Sequence, residues 1–279
     1  MVGSLITVYI PTYQRVNLLR RSVASVLCQD YENFELLIVD DGSSDGTSRY
    51  LSSLEKNDPR VKVLQKDGPQ GASASRNVAI KYAKGLFITG LDDDDFFLPN
   101  RLSSFIQAWE RKSDNVVGLY TSHSVIGRDG GLRLYRRPEM ACRRSHFLRN
   151  SIGNQVFTKT ENLRSIGGFD ESLGVWQDFE CWIRLMKLGQ VQRINNNSYV
   201  FDHSHDSQRI TDSKREVVEA AYQYIAEKHQ LNSRELRRFS TLKDVYINCF
   251  GAASIWGHMT HLDFLGTYVS MKNILKSLR

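Results

Sequence analysis

Four short apolar segments in the first hundred residues have the composition of buried β-strands. They are residues 5–10, 34–39, 61–65 and 86–90, and each is followed within a few residues by proline, glycine or aspartate. A continuous apolar run of this length, bounded by turn residues, is typical of a strand covered on both faces. The pattern therefore predicts four interior strands before residue 91.

Segments with helical periodicity separate these predicted strands. The first places leucine and valine at the spacing of one helix face between residues 18 and 27, and others run to about Lys56 and over 72–84, where Gly85 follows. Strands that alternate with helices predict a parallel, doubly wound α/β sheet with helices on both faces. Right-handed crossovers place the carboxyl ends of parallel strands on one edge, so we expect the loops at 11–13, 40–41, 68–71 and 92–95 to meet there.

Four consecutive carboxylates, Asp92–Asp95, follow the fourth predicted strand almost directly. Like charges about 4 Å apart repel by about 4 kcal/mol at an effective dielectric constant of about 20. A folded chain tolerates such a run if the carboxylates are solvated, partly protonated or bound to a cation, and oxygen ligands suit Mg²⁺ or Mn²⁺. A solvated acidic turn is the simpler interpretation, but the end of a parallel strand is where α/β sheets place ligands.

The second half of the chain has weaker patterns. We predict a helix from Pro99 to about Arg111, a strand over 116–122, a helix that begins near Asp178, and a polar loop over 201–207. From Lys214 onward the chain has a helical character, with predicted helices at about 217–225, 236–250 and 264–278.

Composition and charge narrow the class of protein. The 279 residues are 41% hydrophobic and 24% charged, as in ordinary globular proteins, and the net charge of +6 favours anionic partners. Seven arginines lie between Arg128 and Arg149. A solvated basic face explains most of them, and a share could meet a pyrophosphate or lipid headgroups. No nucleic-acid-binding motif accompanies them, so we expect no nucleic-acid partner.

The location of the protein is also an expectation from sequence. Four cysteines without a CxxC pair do not demand disulfides, no secretory leader pattern opens the chain, and no run of about 18 apolar residues is present. These features favour the cytoplasm. Lys272, Lys276 and Arg279 could bring the last predicted helix to a membrane surface, although simple packing of that helix on the domain is the more economical interpretation.

Several common nucleotide-binding and hydrolase motifs are missing. The chain has no GxGxxG in its first half, no GxxxxGK[ST] and no GxSxG, which argues against a dehydrogenase fold, a P-loop enzyme and an α/β-hydrolase. These exclusions leave a site at the edge of the sheet, formed by acidic loops that would bind a divalent ion. Such an ion would bind a diphosphate and neutralise the charge on a departing phosphate.

Seven short motifs, in order and in register, give the chain a strong resemblance to the family 2 inverting glycosyltransferases, over about residues 4–210. The motifs are Ile10-Pro11-Thr12-Tyr13, Ser25-Val26-Leu27-Cys28-Gln29-Asp30-Tyr31, Val39-Asp40-Asp41-Gly42-Ser43, Ser75-Arg76-Asn77, Leu91-Asp92-Asp93-Asp94-Asp95, Gly167-Gly168-Phe169-Asp170 and Gln177-Asp178. The chain looks like the bacterial members that build O-antigen, capsule or colanic-acid-type polysaccharide. The resemblance implies a GT-A fold, with a Rossmann-like nucleotide-binding sheet and a C-terminal helical extension.

The resemblance also implies a domain organisation. Residues 1–213 would form the catalytic domain, with a nucleotide-binding half over 1–100 and an acceptor-binding half over 101–213. Residues 214–279 would form a C-terminal helical region.

The resemblance assigns donor-binding roles to residues of the first half. Pro11, Thr12 and Tyr13 would line the nucleotide base, and Asp41 would accept its N–H. Arg76 matches the arginine of the family's A-R-N stretch and would lie near the base and the phosphates. The donor would be a nucleotide sugar, by resemblance a UDP-sugar.

The same resemblance assigns the metal and the base. Asp94 would contact Mn²⁺ or Mg²⁺, with Asp92 and His205 as further ligands, and Asp93 would lie on the ribose side. His203 is an alternative to His205. Asp178 would be the catalytic base.

The implied reaction is one displacement with inversion at the anomeric carbon. Asp178 would deprotonate a hydroxyl of a polyprenyl-diphosphate-linked saccharide acceptor, and Asp94 should face it across a cleft. The family's acidic pair has Gln177 as its first member here, which leaves one carboxylate to act. A nucleotidyltransferase, a D-x-D phosphatase or mutase, and a scaffold that binds nucleotide sugars without catalysis remain as alternatives.

Overall fold

The computed structural model describes residues 3–205 and 215–247, and a ten-stranded sheet lies at the centre of this part of the chain. The strands are β1 Ile6–Thr12, β2 Phe34–Asp40, β3 Val61–Gln65, β4 Phe87–Gly90, β5 Phe96–Phe97, β6 Val116–Ile126, β7 Leu132–Tyr135, β8 Met140–Ala141, β9 Phe157–Lys159 and β10 Gln190–Asp202. The helices are α1 Val16–Leu27, α2 Thr47–Asn57, α3 Ala72–Tyr82, α4 Arg101–Arg111, α5 Arg143–His146, α6 Thr160–Ser165, α7 Gln177–Leu185, α8 Arg215–Lys228 and α9 Ser233–Tyr246.

The first four strands form the predicted parallel sheet in the order β3-β2-β1-β4. Every residue of β1, β2 and β4 is buried, because helices cover both faces. Alternate side chains of β2 enter different cores: Leu36 and Ile38 pack with α1, α2 and α4, whereas Leu37 and Val39 pack with α3, α6 and α7. This period of two explains why these strands have continuous apolar runs. The carboxyl ends of β1, β2 and β4 lie on one edge.

The rest of the sheet is mixed rather than parallel. Strand β9 pairs antiparallel with both β4 and β6, β6 pairs parallel with β10, and β5 and β8 pair antiparallel with β10. The parallel arrangement predicted for the first hundred residues therefore does not continue beyond β4. The predicted strand over 116–122 is longer than expected, and the predicted loop over 201–207 begins inside a strand, because β10 extends through Asp202.

A polar bulge interrupts β10, which explains why the sequence pattern does not indicate this strand. The composition of residues 195–198, three asparagines and a serine, is typical of a turn. In the structure, however, the pairing of β10 with β6 only shifts its register there. Ile194 lies opposite Thr121, and Tyr199 lies opposite His123, so the extra residues of β10 bulge out between two paired segments. The bulge leaves Tyr199, Phe201 and Asp202 at the end of the strand that approaches β5 and the acidic run.

Helices α8 and α9 share a hydrophobic core with the second half of the preceding domain. Val218, Ile225 and Phe239 are buried together with Trp176 and Phe179. The predicted helices near 217–225 and 236–250 correspond to α8 and α9, as far as residue 247. The predicted helix over 264–278, with Lys272, Lys276 and Arg279, lies outside the described residues.

Candidate active site

A cavity of about 510 Å³ opens at the carboxyl edge of β1, β2 and β4. Segments that are far apart in sequence line it. The lining includes Pro11, Thr12, Tyr13, Arg15, Asp41, Gly71, Ser75, Arg76, the whole of Asp92–Asp95, Asn154, Trp176, Gln177, Asp178, Phe201, His203 and Tyr246. The structure thus brings to one cavity every residue singled out from sequence for nucleotide, metal or base except His205, whose side chain lies beside Asp94.

The four aspartates after β4 have different sets of partners, although Asp93 and Asp94 share Arg15. Asp93 and Asp95 are 6% and 2% exposed, whereas Asp92 and Asp94 are half-buried at the cavity wall. The run forms a turn, in which the backbone N–H of Asp95 donates to the carbonyl of Asp92 at 3.1 Å. The turn is stabilised by Ser22, whose hydroxyl donates to the carbonyl of Asp93 at 2.8 Å.

Asp92 accepts hydrogen bonds from three side chains. Arg76 donates to it at 3.0 Å, Gln155 at 3.2 Å and Asn154 at 2.8 Å. Arg76 is only 7% exposed, and its guanidinium lies 5.3 Å from the centre of the Phe169 ring. The carboxylate of Asp92 therefore compensates a buried cation and fixes its position at the cavity wall.

Asp93 and Asp94 share Arg15. One guanidinium nitrogen of Arg15 lies 3.2 Å from Asp93 and 3.1 Å from Asp94, and Thr12 donates to Asp93 at 2.9 Å. Burial nevertheless raises the pKa of Asp93 to about 6, against the lowering effect of Arg15. Proximity of the two carboxylates to one cation makes this the most polarised wall of the cavity.

Asp95 has a structural role. Its carboxylate accepts from the hydroxyl of Tyr199 at 2.8 Å and from the backbone N–H of Asp202 at 3.1 Å. Burial raises its pKa well above the usual range of a carboxyl group. These bonds fasten the acidic run to the end of β10, and Arg21 adds a second link because it donates to the carbonyl of Asp94 and pairs with Asp202.

Asp41, at the end of β2, holds the start of α3. Its carboxylate accepts from the backbone N–H of Gln70 at 3.1 Å and of Gly71 at 2.7 Å, and it pairs with Lys66. These bonds organise the loop before Ala72, so that the amino end of α3 faces the cavity. A helix amino end carries partial positive charge that suits an anion.

Asp178 lies in the first turn of α7 and lines the same cavity as the acidic run. Trp176 has left-handed backbone angles, φ 61° and ψ 26°, an uncommon conformation for a large side chain, and α7 begins directly after it. The first turn of the helix thus presents Gln177 and Asp178 to the cavity. Asn150 donates to the Asp178 carboxylate at 2.7 Å, and burial raises the pKa of Asp178 above its usual value. A carboxylate with a raised pKa is a stronger base near neutral pH.

The donor set at Asp94 fits a divalent ion in part. His205 Nε2 lies 3.7 Å from Asp94 Oδ2. Adjacent ligands of an octahedral ion, each about 2.1 Å from it, lie about 3.0 Å apart, so this oxygen and nitrogen would have to move about 0.7 Å closer to share one ion. Within 3–205 and 215–247, no group of three or more His, Cys, Asp or Glu side chains is arranged to hold a metal. A nucleotide diphosphate supplies further oxygen ligands in many such sites.

Sequence reasoning missed several residues of the cavity. Arg15 comes directly after the Pro-Thr-Tyr segment and could have been suspected from that position alone. Asn150, Asn154 and Tyr246 carry no local signal, because only long-range packing brings them to the site. Tyr246 belongs to α9, so the described helices after residue 214 contribute to the cavity wall.

The cavity, the parallel nucleotide-type sheet and the acidic run define the fold of a GT-A glycosyltransferase. The chain belongs to Glycosyl transferase family 2, whose sequence model matches residues 7–164. It is 35% identical over 234 residues to WcaA of Escherichia coli K12, a glycosyl transferase assigned to colanic acid biosynthesis, and the match covers 81% of each chain. These matches confirm the predicted family and the connection with surface polysaccharide synthesis.

Two further comparisons bear on ligands. The UDP-Glc:α-D-GlcNAc-diphosphoundecaprenol β-1,3-glucosyltransferase WfgD of Escherichia coli is 29% identical over 191 residues, which cover 68% of this chain and 73% of WfgD. The mannosyltransferase PcManGT of Pyrobaculum calidifontis, solved in complex with GDP-Man and Mn²⁺, has a TM-score of 0.62 at 16% identity. That match covers 98% of this chain and 80% of PcManGT. No helix among residues 3–205 and 215–247 has the length and apolar character needed to cross a membrane.

Proposed function

We propose that this glycosyltransferase moves a hexose from a nucleotide sugar, a UDP-sugar, to a hydroxyl of a lipid-linked saccharide acceptor, with inversion and with dependence on Mn²⁺ or Mg²⁺. The observation that carries the proposal is that Asp178 and the acidic run, more than eighty positions apart in sequence, line one cavity. The sugar would lie in this cavity between Asp178 and Asp94.

Different residues of the chain would bind the nucleotide, its diphosphate and the metal. Pro11, Thr12 and Tyr13 would contact the nucleotide, and Arg76 and the amino end of α3 would hold its diphosphate. Asp94 and His205 would hold the metal, which supplies charge neutralisation at the diphosphate when bound.

We assign different roles to two other candidates. Asp92 and Asp41 accept several hydrogen bonds from the protein itself, so we propose that they position Arg76 and α3. Asp93 would remain on the ribose side.

Asp178 would accept the proton of the attacking hydroxyl. Its raised pKa suits this role, and Asn150 keeps its carboxylate oriented. The acceptor oxygen would attack the anomeric carbon on the face opposite the departing diphosphate, so one displacement inverts the configuration. Gln177, where the family has an acid, would leave Asp178 as the single base.

The lipid-linked acceptor is proposed by analogy with WfgD, which acts on a diphosphoundecaprenol-linked sugar according to its name. A reaction on such an acceptor takes place at a membrane surface, in keeping with cytoplasmic nucleotide sugars and peripheral attachment of the enzyme. Residues 101–213 would then provide most of the acceptor side, and 1–100 most of the donor side.

A screen of nucleotide sugars with Mn²⁺, scored by release of nucleoside diphosphate, tests the proposal. Asp94→Ala and Asp178→Asn should both lose transfer, and EDTA should abolish transfer until Mn²⁺ is restored. Asp114→Asn, an exposed aspartate outside the cavity, is the matched control and should equal the wild type. Unchanged transfer in both site variants would show that the assignment is wrong.

The same experiment separates the alternatives. Binding of UDP without transfer to any acceptor would favour a non-catalytic scaffold. Formation of a nucleotide sugar and pyrophosphate from a nucleoside triphosphate and a sugar phosphate would favour a nucleotidyltransferase. Family membership favours glycosyl transfer over both.

A further inference from the structure

A second, smaller cavity of about 190 Å³ lies between β6 and the segment before α5. Pockets for drug-sized ligands usually have about 300–1,000 Å³, so this one suits a small group. Its lining is strongly basic. It consists of His123, Tyr135, Arg136, Arg137, Pro138, Arg149 and Ser151.

The three arginines of this pocket have no carboxylate to neutralise them. Within residues 3–205 and 215–247, neither Arg136, Arg137 nor Arg149 forms an ion pair with an acidic side chain. Arg137 donates instead to the ring nitrogen of His123 at 3.3 Å and to the carbonyl oxygen of Asn150. Burial and the nearby charge of Arg149 both lower the pKa of Arg137, although Asp178 opposes this. Converging guanidinium groups without a counter-ion favour the binding of an anion, and their planar forks match phosphate oxygens.

The pocket is connected to the proposed base through one residue. Asn150 accepts a hydrogen bond from Arg137 with its backbone carbonyl, and its side chain donates to Asp178 at 2.7 Å. An anion bound at the arginines would therefore lie near Asp178, with Asn150 between them.

Tyr135 of β7 closes one side of the pocket, because its ring stacks on His123 with ring centres 5.5 Å apart. Leu132 and Leu134 of the same strand are 66% and 49% exposed, and alternation along the strand places them on the face opposite Tyr135.

We propose that Arg136, Arg137 and Arg149 form a subsite for the diphosphate of the lipid-linked acceptor. The proposal rests on the function proposed above and specifies its acceptor: a saccharide whose first sugar reaches Asp178 while its diphosphate occupies the basic pocket. A neutral glycoside of the same sugar should be a poor acceptor.

Direct binding tests the subsite without knowledge of the sugar. The probes are farnesyl diphosphate, inorganic pyrophosphate and farnesol, titrated into the full chain without divalent metal and with excess UDP to fill the larger cavity. We expect both diphosphates to bind and farnesol not to bind. Arg136→Ala/Arg149→Ala should weaken both diphosphates at least tenfold, because each lost guanidinium removes charge-assisted hydrogen bonds.

The double variant changes two exposed side chains, so its fold should be preserved, whereas Arg137 is left intact because it also holds Asn150. Arg49→Ala/Arg111→Ala removes the same charge from two exposed helix positions and should bind as the wild type. Equal binding of diphosphate by the pocket variant and the wild type would overturn the proposal, as would equal binding of farnesol and farnesyl diphosphate.

Two further measurements are needed. One distinguishes the acceptor diphosphate from membrane headgroups as the source of the phosphate, and the other distinguishes the subsite from the proposed transferase function. Phosphatidylglycerol vesicles should sediment the pocket variant as well as the wild type. Loss of vesicle binding with unchanged binding of farnesyl diphosphate would assign the arginines to membrane headgroups instead. With a donor that supports transfer, the pocket variant should have a higher KM for a sugar-diphosphate acceptor than the wild type. Its KM for the donor should be unchanged. Diphosphate binding that depends on the arginines in a chain without transferase activity would preserve the subsite and refute the function.

Discussion

Replacement of Asp178 by asparagine tests the role of this residue as a base with little change to the surrounding structure. The amide has nearly the same shape, and its oxygen can still accept the 2.7 Å hydrogen bond from Asn150. It cannot accept a proton from the acceptor. General base catalysis contributes about 10²–10⁴-fold to a rate. We expect kcat to fall by about 10³-fold, which corresponds to about 4 kcal/mol on the barrier.

The same substitution should stabilise the folded protein at neutral pH. Burial raises the folded-state pKa of Asp178 above the unfolded value, so the folded state retains the proton at pH values where the unfolded state has released it. Stability contributed by this group therefore falls as pH rises through that window. Wild type and Asp178→Asn should have equal stability near pH 3, and the variant should become the more stable of the two as the pH approaches 7.

Two assays check these expectations. Transfer is followed by release of nucleoside diphosphate with donor and acceptor in excess, and unfolding is followed in urea at several pH values. Asn150→Ala is the companion variant: its lost hydrogen bond should raise the pKa of Asp178 further and move the acidic limb of the kcat/KM profile to higher pH. A variant Asp178→Asn with more than a tenth of wild-type kcat, or with lower stability at pH 7, would refute the assignment.

Other changes should have separate effects. Arg76→Ala removes a buried guanidinium from the cavity wall and should weaken nucleotide-sugar binding about 10–100-fold by calorimetry; unchanged affinity would exclude it from the donor site. Gly90→Ala should lower stability by about 1–3 kcal/mol, because a Cβ there would lie 2.1 Å from Gln155 and 2.4 Å from the Tyr9 ring; an unchanged melting temperature would contradict this packing. Glu180→Gln should cost about 3–5 kcal/mol at pH 7, since burial is outweighed by hydrogen bonds that lower the pKa of Glu180 to about 2. That contribution disappears as pH falls from about 4.5 through 2, so urea curves of variant and wild type should converge there.

Local signals were sufficient for the nucleotide-binding half of the fold. Strands β1, β2 and β4 are buried along their whole length because both faces are covered, and turn residues mark their ends. The rule for right-handed crossovers then gathers Thr12, Asp41 and Asp92–Asp95 at one edge without any knowledge of side-chain contacts. The structure agrees in each case.

The second half could not be derived in the same way. Strand β9 has three residues, and β10 contains a polar bulge at 195–198, so neither has a clear period. Partners of the acidic run such as Asn154 and Tyr199 depend on how these strands pair, which is a property of the whole sheet. The basic pocket could not be predicted either. The arginines between Arg128 and Arg149 include exposed and half-buried members, and the sequence does not distinguish between them.

The bonds that complete the active-site cavity connect parts of the chain that are synthesised at very different times. Tyr9 donates to Gln155 across 146 positions, Asp95 accepts from Asp202 across 107, and Arg21 pairs with Asp202 across 181. Contacts of such long sequence separation form late and slow the search for the native topology. A nascent chain that has not yet produced β10 would expose Asp95 to water, without the hydroxyl and N–H that later enclose it. The wall of the cavity that carries Asp95 therefore cannot be completed before β10 has been synthesised.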